Sequence, residues 1–139
     1  MTGTARPAGA LLDTVAWILT VDGRVLCARP RGKDVFYVPG GKREGAETDV
    51  ETLVREVEEE LTVRVDPATA VHFGTYEAPG GPPGGPLVRM SCWTGAYEGT
   101  LAPSAEIEEL AWFRHADRSR VPPVDRLLFD DLRAAGVLA

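Results

Sequence analysis

The chain has 139 residues, of which 44% are hydrophobic and 26% charged, and it carries a net charge of −6. This length and composition are typical of one soluble globular domain and exclude a disordered or fibrous chain. The acidic balance argues against polymeric nucleic acid as a partner, since that needs a basic face, but leaves small phosphorylated ligands open because bound metal ions can reverse the local field.

The sequence also predicts the domain organisation and the cellular compartment. Residues 1–9 lack the apolar core of a signal peptide and predict a flexible tail, followed by one domain over residues 10–139. No run of about 18 apolar residues is present, so no membrane span is expected. Cys27 and Cys92 have no His neighbours that would suggest a zinc site, and we interpret both as buried thiols in a reducing cytoplasm.

The first forty residues predict β-structure. Residues 11–20 are rich in Val, Ile and Leu and predict a strand, and the alternating residues 24–29 predict a second strand that pairs with the first. The Asp-Gly pair at 22–23 is a hairpin signal between them. Residues 35–38 predict a short strand that the Pro-Gly-Gly run at 39–41 stops.

The apolar period then changes to that of a helix. Thr48 or Asp49 is the expected N-cap, and an acidic first turn suits the positive end of the helix dipole. One stripe at helical spacing predicts the buried face. Its members are Val50, Leu53, Val54, Val57 and Leu61.

The second half predicts strands at residues 71–77, 87–97 and 110–113. The Gly- and Pro-rich residues 79–86 predict an outward loop, either a plain connection or a flap beside the substrate. A final helix should begin at the Pro-Pro pair 122–123 and end at Gly136. Its expected apolar face is Leu127, Leu128, Leu132 and Ala135. Taken together, the predicted strands and helices indicate a mixed α/β arrangement in a single domain.

Negative charge is concentrated between Glu44 and Glu60, a segment that contains seven Glu and one Asp but only one Arg. At about 100° per residue, Glu56, Glu59 and Glu60 share one helix face. Like charges at this spacing destabilise a helix, and a hard divalent cation such as Mg²⁺ or Mn²⁺ would remove the conflict. The alternative is a solvated acidic face.

The loop before the helix favours a ligand-binding site over a solvated acidic face. Gly40 and Gly41 allow the backbone to approach a ligand closely. Glu47 lies just before the helix, and Arg55 can orient it through a bidentate pair. The alternative for Arg55 is an ordinary surface side chain.

This segment resembles the Nudix box, G-x5-E-x7-R-E-U-x-E-E-x-G-U, in which U is aliphatic. Gly41 and Glu47 fill its first two fixed positions, and Val63 its last. Arg55-Glu56-Val57 matches R-E-U, and Glu59-Glu60 matches E-E, so six of the seven fixed polar or Gly positions match. Thr62 stands where the pattern has Gly. Because Thr adopts the left-handed conformation poorly, we expect the helix to end differently from the pattern.

The resemblance implies a Nudix-like α/β/α sandwich and a metal-dependent hydrolase that cleaves a diphosphate bond in a nucleoside diphosphate linked to another group. It implies Mg²⁺ or Mn²⁺ held by Glu56, Glu59 and Glu60, with the Gly40 carbonyl as a further ligand. The base that deprotonates the attacking water would be Glu56 or Glu106. The alternative function is a Nudix-like module that senses a nucleotide without cutting it.

Residues outside the box are candidates for substrate contacts. Arg29, Arg31 and Lys33 could meet phosphates, with exposed loop charges as the alternative. Aromatic side chains that could pack on a base are Phe36, Tyr37 and Trp93, although aromatic residues in strands are more often core. The expected partner is a small nucleotide-like diphosphate. A homodimer is also expected, because symmetric dimers are the commonest oligomers.

Overall fold

The computed structural model describes residues 11–80 and 85–139. The long strands among them are β1 (Leu11–Trp17), β3 (Arg24–Pro30), β6 (Val71–Pro79), β7 (Leu87–Thr94) and β9 (Ile107–Phe113). The short ones are β2 (Thr20–Val21), β4 (Gly40–Lys42), β5 (Arg64–Val65) and β8 (Tyr97–Glu98). Two α-helices are described, α1 (Asp49–Leu61) and α2 (Pro123–Ala134). Short 3-10 helices cover Pro67–Thr69 and His115–Arg120.

The strands form a mixed sheet and two smaller ones. The four-stranded sheet has the order β4-β1-β7-β6, and the others are β2-β3-β9 and β5-β8. Strands β1 and β7 run parallel, whereas the remaining pairs are antiparallel. Strand β1 is therefore central, since it links the short glycine strand β4 to the long hairpin of β6 and β7.

The sheets lie between the two helices. In β1, Val15 and Trp17 belong to the core beneath α1, while Ala16 and the following Ile18 belong to the core beneath α2. This alternation follows from the two-residue period of a strand, which sends successive side chains to opposite faces. The expected mixed α/β arrangement with sheets between helices is confirmed. No helix in the described ranges has the length and apolar character needed to cross a membrane.

The predicted hairpin exists but joins different strands. Asp22 and Gly23 have φ of 53° and 76° and connect β2 to β3, as a type I′ turn requires. The prediction that the first strand pairs with the second holds only at its end, where Thr20 of the predicted strand 11–20 pairs with Val25. Strand β1 ends at Trp17 and pairs with β4 and β7, whereas β3 pairs with β2 and β9. The local pattern cannot reveal β7, which lies far along the chain.

Residues 35–38 are not a strand, contrary to expectation. Only Tyr37 is bridged there, to Ala28. The following glycines instead form β4, which pairs with β1. Gly40 has φ of 148°, and a Cβ on it would overlap the Val15 carbonyl oxygen. The strand can therefore approach β1 this closely only because Gly40 has no side chain.

The second half differs from expectation mainly in its boundaries. The strand predicted over 87–97 is divided into β7 and β8, and β9 begins three residues before the predicted 110–113. Of the predicted loop 79–86, residues 81–84 lie outside the described residues, so the choice between connection and flap stays open. The predicted tail 1–9 also lies outside them.

Helix α2 begins at Pro123, as expected, and Gly136 follows its end with φ of 80°. Its predicted apolar face is only partly right. Leu127 and Ala135 are exposed, and the buried apolar residues are Val124, Leu128, Phe129 and Leu132. The buried face is turned towards Phe129 because the helix packs over β6 and β7, whose position local periodicity does not indicate.

Candidate active site

Helix α1 begins with a capping box. Thr48 is its N-cap: its Oγ1 accepts from the Glu51 N–H at 3.1 Å, and the Glu51 Oε1 accepts from the Thr48 N–H at 2.8 Å. Leu53, Val57 and Leu61 are fully buried against the sheets. Because the apolar side of α1 is held inwards, its glutamate face is turned to the glycine strand β4 and the loop that follows it.

The helix ends in the left-handed conformation that the box pattern assigns to Gly. Thr62 has φ of 62° and ψ of 19°, so our expectation of a different exit is wrong. A non-Gly residue in this conformation costs about 1–2 kcal/mol. The Thr62 N–H donates to the Glu58 carbonyl at 3.1 Å and its hydroxyl to the Thr100 carbonyl at 2.9 Å. These bonds offset the strain.

The predicted pair between Glu47 and Arg55 is present and bidentate. The Arg55 Nε lies 2.7 Å from the Glu47 Oε2, and its Nη2 lies 2.9 Å from the Oε1. The Thr52 hydroxyl and the Glu44 N–H also donate to the Oε1, at 2.9 and 3.0 Å. The Arg55 hydrogen bond, supported by that of the Glu44 N–H, lowers the pKa of Glu47 to about 2. Glu47 is therefore an anion that orients Arg55.

Arg55 also reaches two carboxylates of the glutamate face. Its Nη1 lies 2.7 Å from the Glu56 Oε2 and 3.1 Å from the Glu59 Oε1. Burial raises the pKa of Glu56 despite the opposing effect of Arg55. Gly41 leaves room for this arrangement, because a Cβ at that position would overlap the Glu56 carboxylate.

Glu60 is the buried carboxylate of the site, with 7% of its surface exposed. The Gly40 N–H donates to its Oε1 at 3.1 Å. Burial, reinforced by the negative charges of Glu56, Glu106 and Glu59, raises the pKa of Glu60 to about 8 despite that hydrogen bond. A nearby cation would favour the ionised form.

A cavity of about 510 Å³ opens beside Glu60. Gly40, Glu60 and Glu106 lie at its polar end, and Lys33 and Tyr37 also line it. The remaining wall is largely apolar and comes from strands β1, β7 and β9 and from the start of α2. Apolar members include Leu12, Val88, Met90, Ile107 and Val124.

Asp125 lines the same cavity, and our sequence reasoning missed it. Its side chain is 3% exposed, and its Oδ2 accepts from the Val38 N–H at 2.9 Å. Burial raises its pKa to about 7. A signal was present, since Asp125 precedes Leu128, Phe129 and Leu132 by three, four and seven residues and so shares their buried face.

The predicted substrate residues occupy different environments. Lys33 lines the cavity. Arg29 is instead engaged by Glu109 at 2.9 Å and Glu108 at 3.2 Å, and Arg31 donates to the Ala105 carbonyl at 3.4 Å. The Arg29 contacts are to residues of β9, and the Arg31 contact is to the segment before it, where Glu106 lies.

Phe36 does not present its ring to the cavity. It is 2% exposed and packs edge-on against Phe113, with ring centroids 4.9 Å apart. The Arg120 guanidinium covers it at 5.0 Å. We therefore withdraw Phe36 from the substrate-binding set, because its core packing leaves no face for a base. Tyr37, the next residue, is the aromatic side chain at the cavity.

The donor chemistry of the site fits a hard divalent cation, although the donors are not yet grouped. In the ranges described, no three His, Cys, Asp or Glu side chains already form a metal cage. Arg55 holds Glu56 and Glu59 at present, and Glu60 bonds to Gly40. Carboxylate and carbonyl oxygens are nevertheless the ligands that Mg²⁺ and Mn²⁺ prefer. Rotation of two glutamate side chains would free them for a metal.

Comparisons with known structures find relatives with the same fold. The solution structure of the E. coli ORF135 protein is 27% identical, with a TM-score of 0.72, and the match covers 94% of this chain and 97% of that one. The MutT protein from Methanosarcina mazei Go1 is 18% identical, with a TM-score of 0.74 and coverage of 94% and 99%. A NUDIX hydrolase from Nitrosomonas europaea is 20% identical, with a TM-score of 0.72 and coverage of 91% and 90%.

The family match covers the described site, whereas no curated protein sequence matches the chain. The family model described as the NUDIX domain matches residues 11–132, which include the glutamate helix, the glycine strand and Asp125. Since this match spans most of the chain, the protein belongs to the Nudix family and is a Nudix-type hydrolase.

Proposed function

We propose that this hydrolase cleaves a diphosphate bond in a nucleoside diphosphate linked to another group, by attack of water on phosphorus with a divalent metal bound. Glu60 carries the proposal. It is a buried carboxylate surrounded by negative groups, it bonds to Gly40, and it lines a cavity large enough for a nucleoside. Nudix hydrolases generally use divalent metal ions, and Mg²⁺ or Mn²⁺ would supply the missing positive charge.

Glu56, Glu59 and Glu60 are the proposed metal ligands, with the Gly40 carbonyl as a fourth. A bound divalent metal neutralises phosphate charge and lowers the pKa of a coordinated water. Glu47 holds Arg55 by two hydrogen bonds, and Arg55 in turn orients Glu56 and Glu59. Glu47 and Arg55 therefore keep Glu56 and Glu59 in place until a metal displaces Arg55 from them.

The water must also lose a proton, and two carboxylates are placed to accept it. Glu56 lies on the metal-binding face and its pKa is raised by burial, which brings it closer to the range of an effective base at neutral pH. Glu106 lines the cavity from the segment before β9. We retain both as candidates for the general base.

The cavity supports binding of the nucleoside part of this substrate. Its apolar wall suits a planar base, and a buried polar group can select among bases by hydrogen bonding. Asp125 is that group, with the Val38 N–H fixing its orientation. Lys33, at the cavity, and Arg31, on the neighbouring loop, would approach phosphate oxygens.

A sensor that binds a nucleotide without cleaving it is the second candidate. The observation that favours it is the engagement of Glu56 and Glu59 by Arg55, which a metal must displace. The two functions share a ligand and differ in turnover.

The test measures phosphate, pyrophosphate and nucleotide release from a panel of nucleoside triphosphates, dinucleotides and nucleotide sugars, each with Mg²⁺, Mn²⁺ or EDTA. We expect turnover of at least one compound that depends on metal and stops in EDTA. Turnover that persists in EDTA would refute the metal-dependent mechanism. Metal-dependent binding without turnover across the panel would establish the sensor instead.

A further inference from the structure

Arg43 lies at one of the five unspecified positions between Gly41 and Glu47, so the box pattern assigns it no role. Its guanidinium nevertheless contacts three residues, one in β1 and two around the start of α1. The Nε lies 3.1 Å from the Asp13 Oδ2 in β1, the Nη1 donates to the Glu47 carbonyl at 3.1 Å, and the Nη2 lies 2.5 Å from the Asp49 Oδ1. The side chain is 23% exposed, so these contacts are partly shielded from water.

Asp49, the first residue of α1, is itself anchored to the sheet. The Ser91 hydroxyl donates to its Oδ2 at 2.6 Å, and the Trp93 Nε1 lies 3.3 Å from the same atom. Ser91 is buried in β7. Arg43 and Asp49 together therefore attach the first turn of the glutamate helix to β1 and β7, the two parallel strands of the main sheet.

The same guanidinium holds the residue that orients Arg55. Arg43 fixes the backbone carbonyl of Glu47, while the Glu47 carboxylate receives Arg55. Arg55 then contacts Glu56 and Glu59. A shift of the Glu47 backbone would move its carboxylate, and the Arg55 guanidinium with it.

We propose that Arg43 is a positioning residue: by holding Glu47, and through it Arg55, it keeps Glu56 and Glu59 at the end of the site where they bind the divalent cation once it displaces Arg55. The inference rests on the proposed function, because it assigns those glutamates to the metal. It also requires the planar fork of Arg, since one Lys ammonium cannot span the three groups in the same geometry.

The experiment measures Mn²⁺ affinity of the full chain by electron paramagnetic resonance of free Mn²⁺. Arg43→Met keeps an unbranched apolar stem and removes the donors, and Arg43→Lys keeps only the charge. The matched control is Arg89→Met, which breaks the exposed pair with Glu77 on the same sheet. Loss of outer-shell support typically weakens metal binding about 10- to 100-fold. We expect that loss in Arg43→Met, a smaller loss in Arg43→Lys and none in the control.

An Arg43→Met variant that folds and binds Mn²⁺ as tightly as the original chain would overturn the inference. If that variant does not fold, Arg43→Lys decides by the same measurement: weaker Mn²⁺ binding supports the inference, and unchanged binding overturns it.

If the original chain binds no Mn²⁺, the proposed function fails. The positioning role of Arg43 is then tested by the NMR signal of the Arg55 Nε–H. That signal is assigned by its absence from the Arg55→Lys variant. Faster solvent exchange of that signal in Arg43→Met supports the positioning role. An identical signal overturns it.

Discussion

Asp125 offers a quantitative test of the cavity, because burial should make it retain a proton well above the pH at which an exposed Asp loses one. Its pKa in the folded protein is about 7, against about 3.9 in an unfolded chain. A raised pKa means that the folded state binds the proton more tightly. The stability that this proton contributes is full below pH 4 and is lost as pH rises through 7.

Asp125→Asn removes the titration while its amide oxygen can still accept from the Val38 N–H. From the two pKa values, the free energy of unfolding of the original chain should fall by about 2.5 kcal/mol relative to the variant between pH 5 and pH 8. Effects of the other titrating groups largely cancel in this comparison, because Asp125 is the one group that differs.

Urea unfolding at half-unit pH steps in EDTA measures this difference. Asp34→Asn, on an exposed loop, controls for the loss of one negative charge. A difference between original and Asp125→Asn that stays constant within about 0.5 kcal/mol over this range would refute the argument from burial. A difference that grows in favour of the original chain with rising pH would show that the cavity stabilises the charged carboxylate.

Other predictions concern the glutamate helix. Glu60→Gln should lower turnover by at least about 100-fold, whereas Glu58→Gln, which alters an exposed Glu of the same helix, should leave turnover unchanged; equal rates for both variants would remove Glu60 from the ligand set. Gly41→Ala should lower kcat because the added Cβ displaces the Glu56 carboxylate, and unchanged steady-state kinetics would contradict that overlap. Thr62→Gly should change the free energy of unfolding by less than about 1 kcal/mol in denaturation experiments, since relief of the left-handed strain offsets the lost hydroxyl bond. Turnover of this variant should be nearly unchanged. A large change in turnover would mean that the end of the helix shapes the site.

The features that sequence reasoning predicted correctly are those set by near neighbours. The Thr48 cap, the buried Leu53 and the pair between Glu47 and Arg55 involve residues fewer than ten positions apart, where helical spacing dictates which side chains meet. The Thr62 prediction failed because a general preference was applied where the Thr62 hydroxyl bonds to the distant Thr100 carbonyl, which a local pattern does not reveal.

The features that sequence reasoning missed depend on distant partners. Strand β1 pairs with β7 about 76 positions away, and Asp125 meets Val38 across 87 positions. A local period reports that a strand or helix has a buried face without identifying what covers it. For the same reason, the exposure of Leu127 and the burial of Phe129 became apparent only once α2 was placed over the sheet.

The placement of the two cores has a consequence for how this enzyme can change. The apolar cavity wall includes Met90 and Val124 of the α2 side, whereas the helix that carries the glutamates is packed through Leu53 and Val57 on the α1 side. Substitutions at Met90 and Val124 therefore leave Leu53 and Val57 in their own core. Under the proposed function, substrate preference can change through these residues of the cavity while the packing of the glutamate helix is kept.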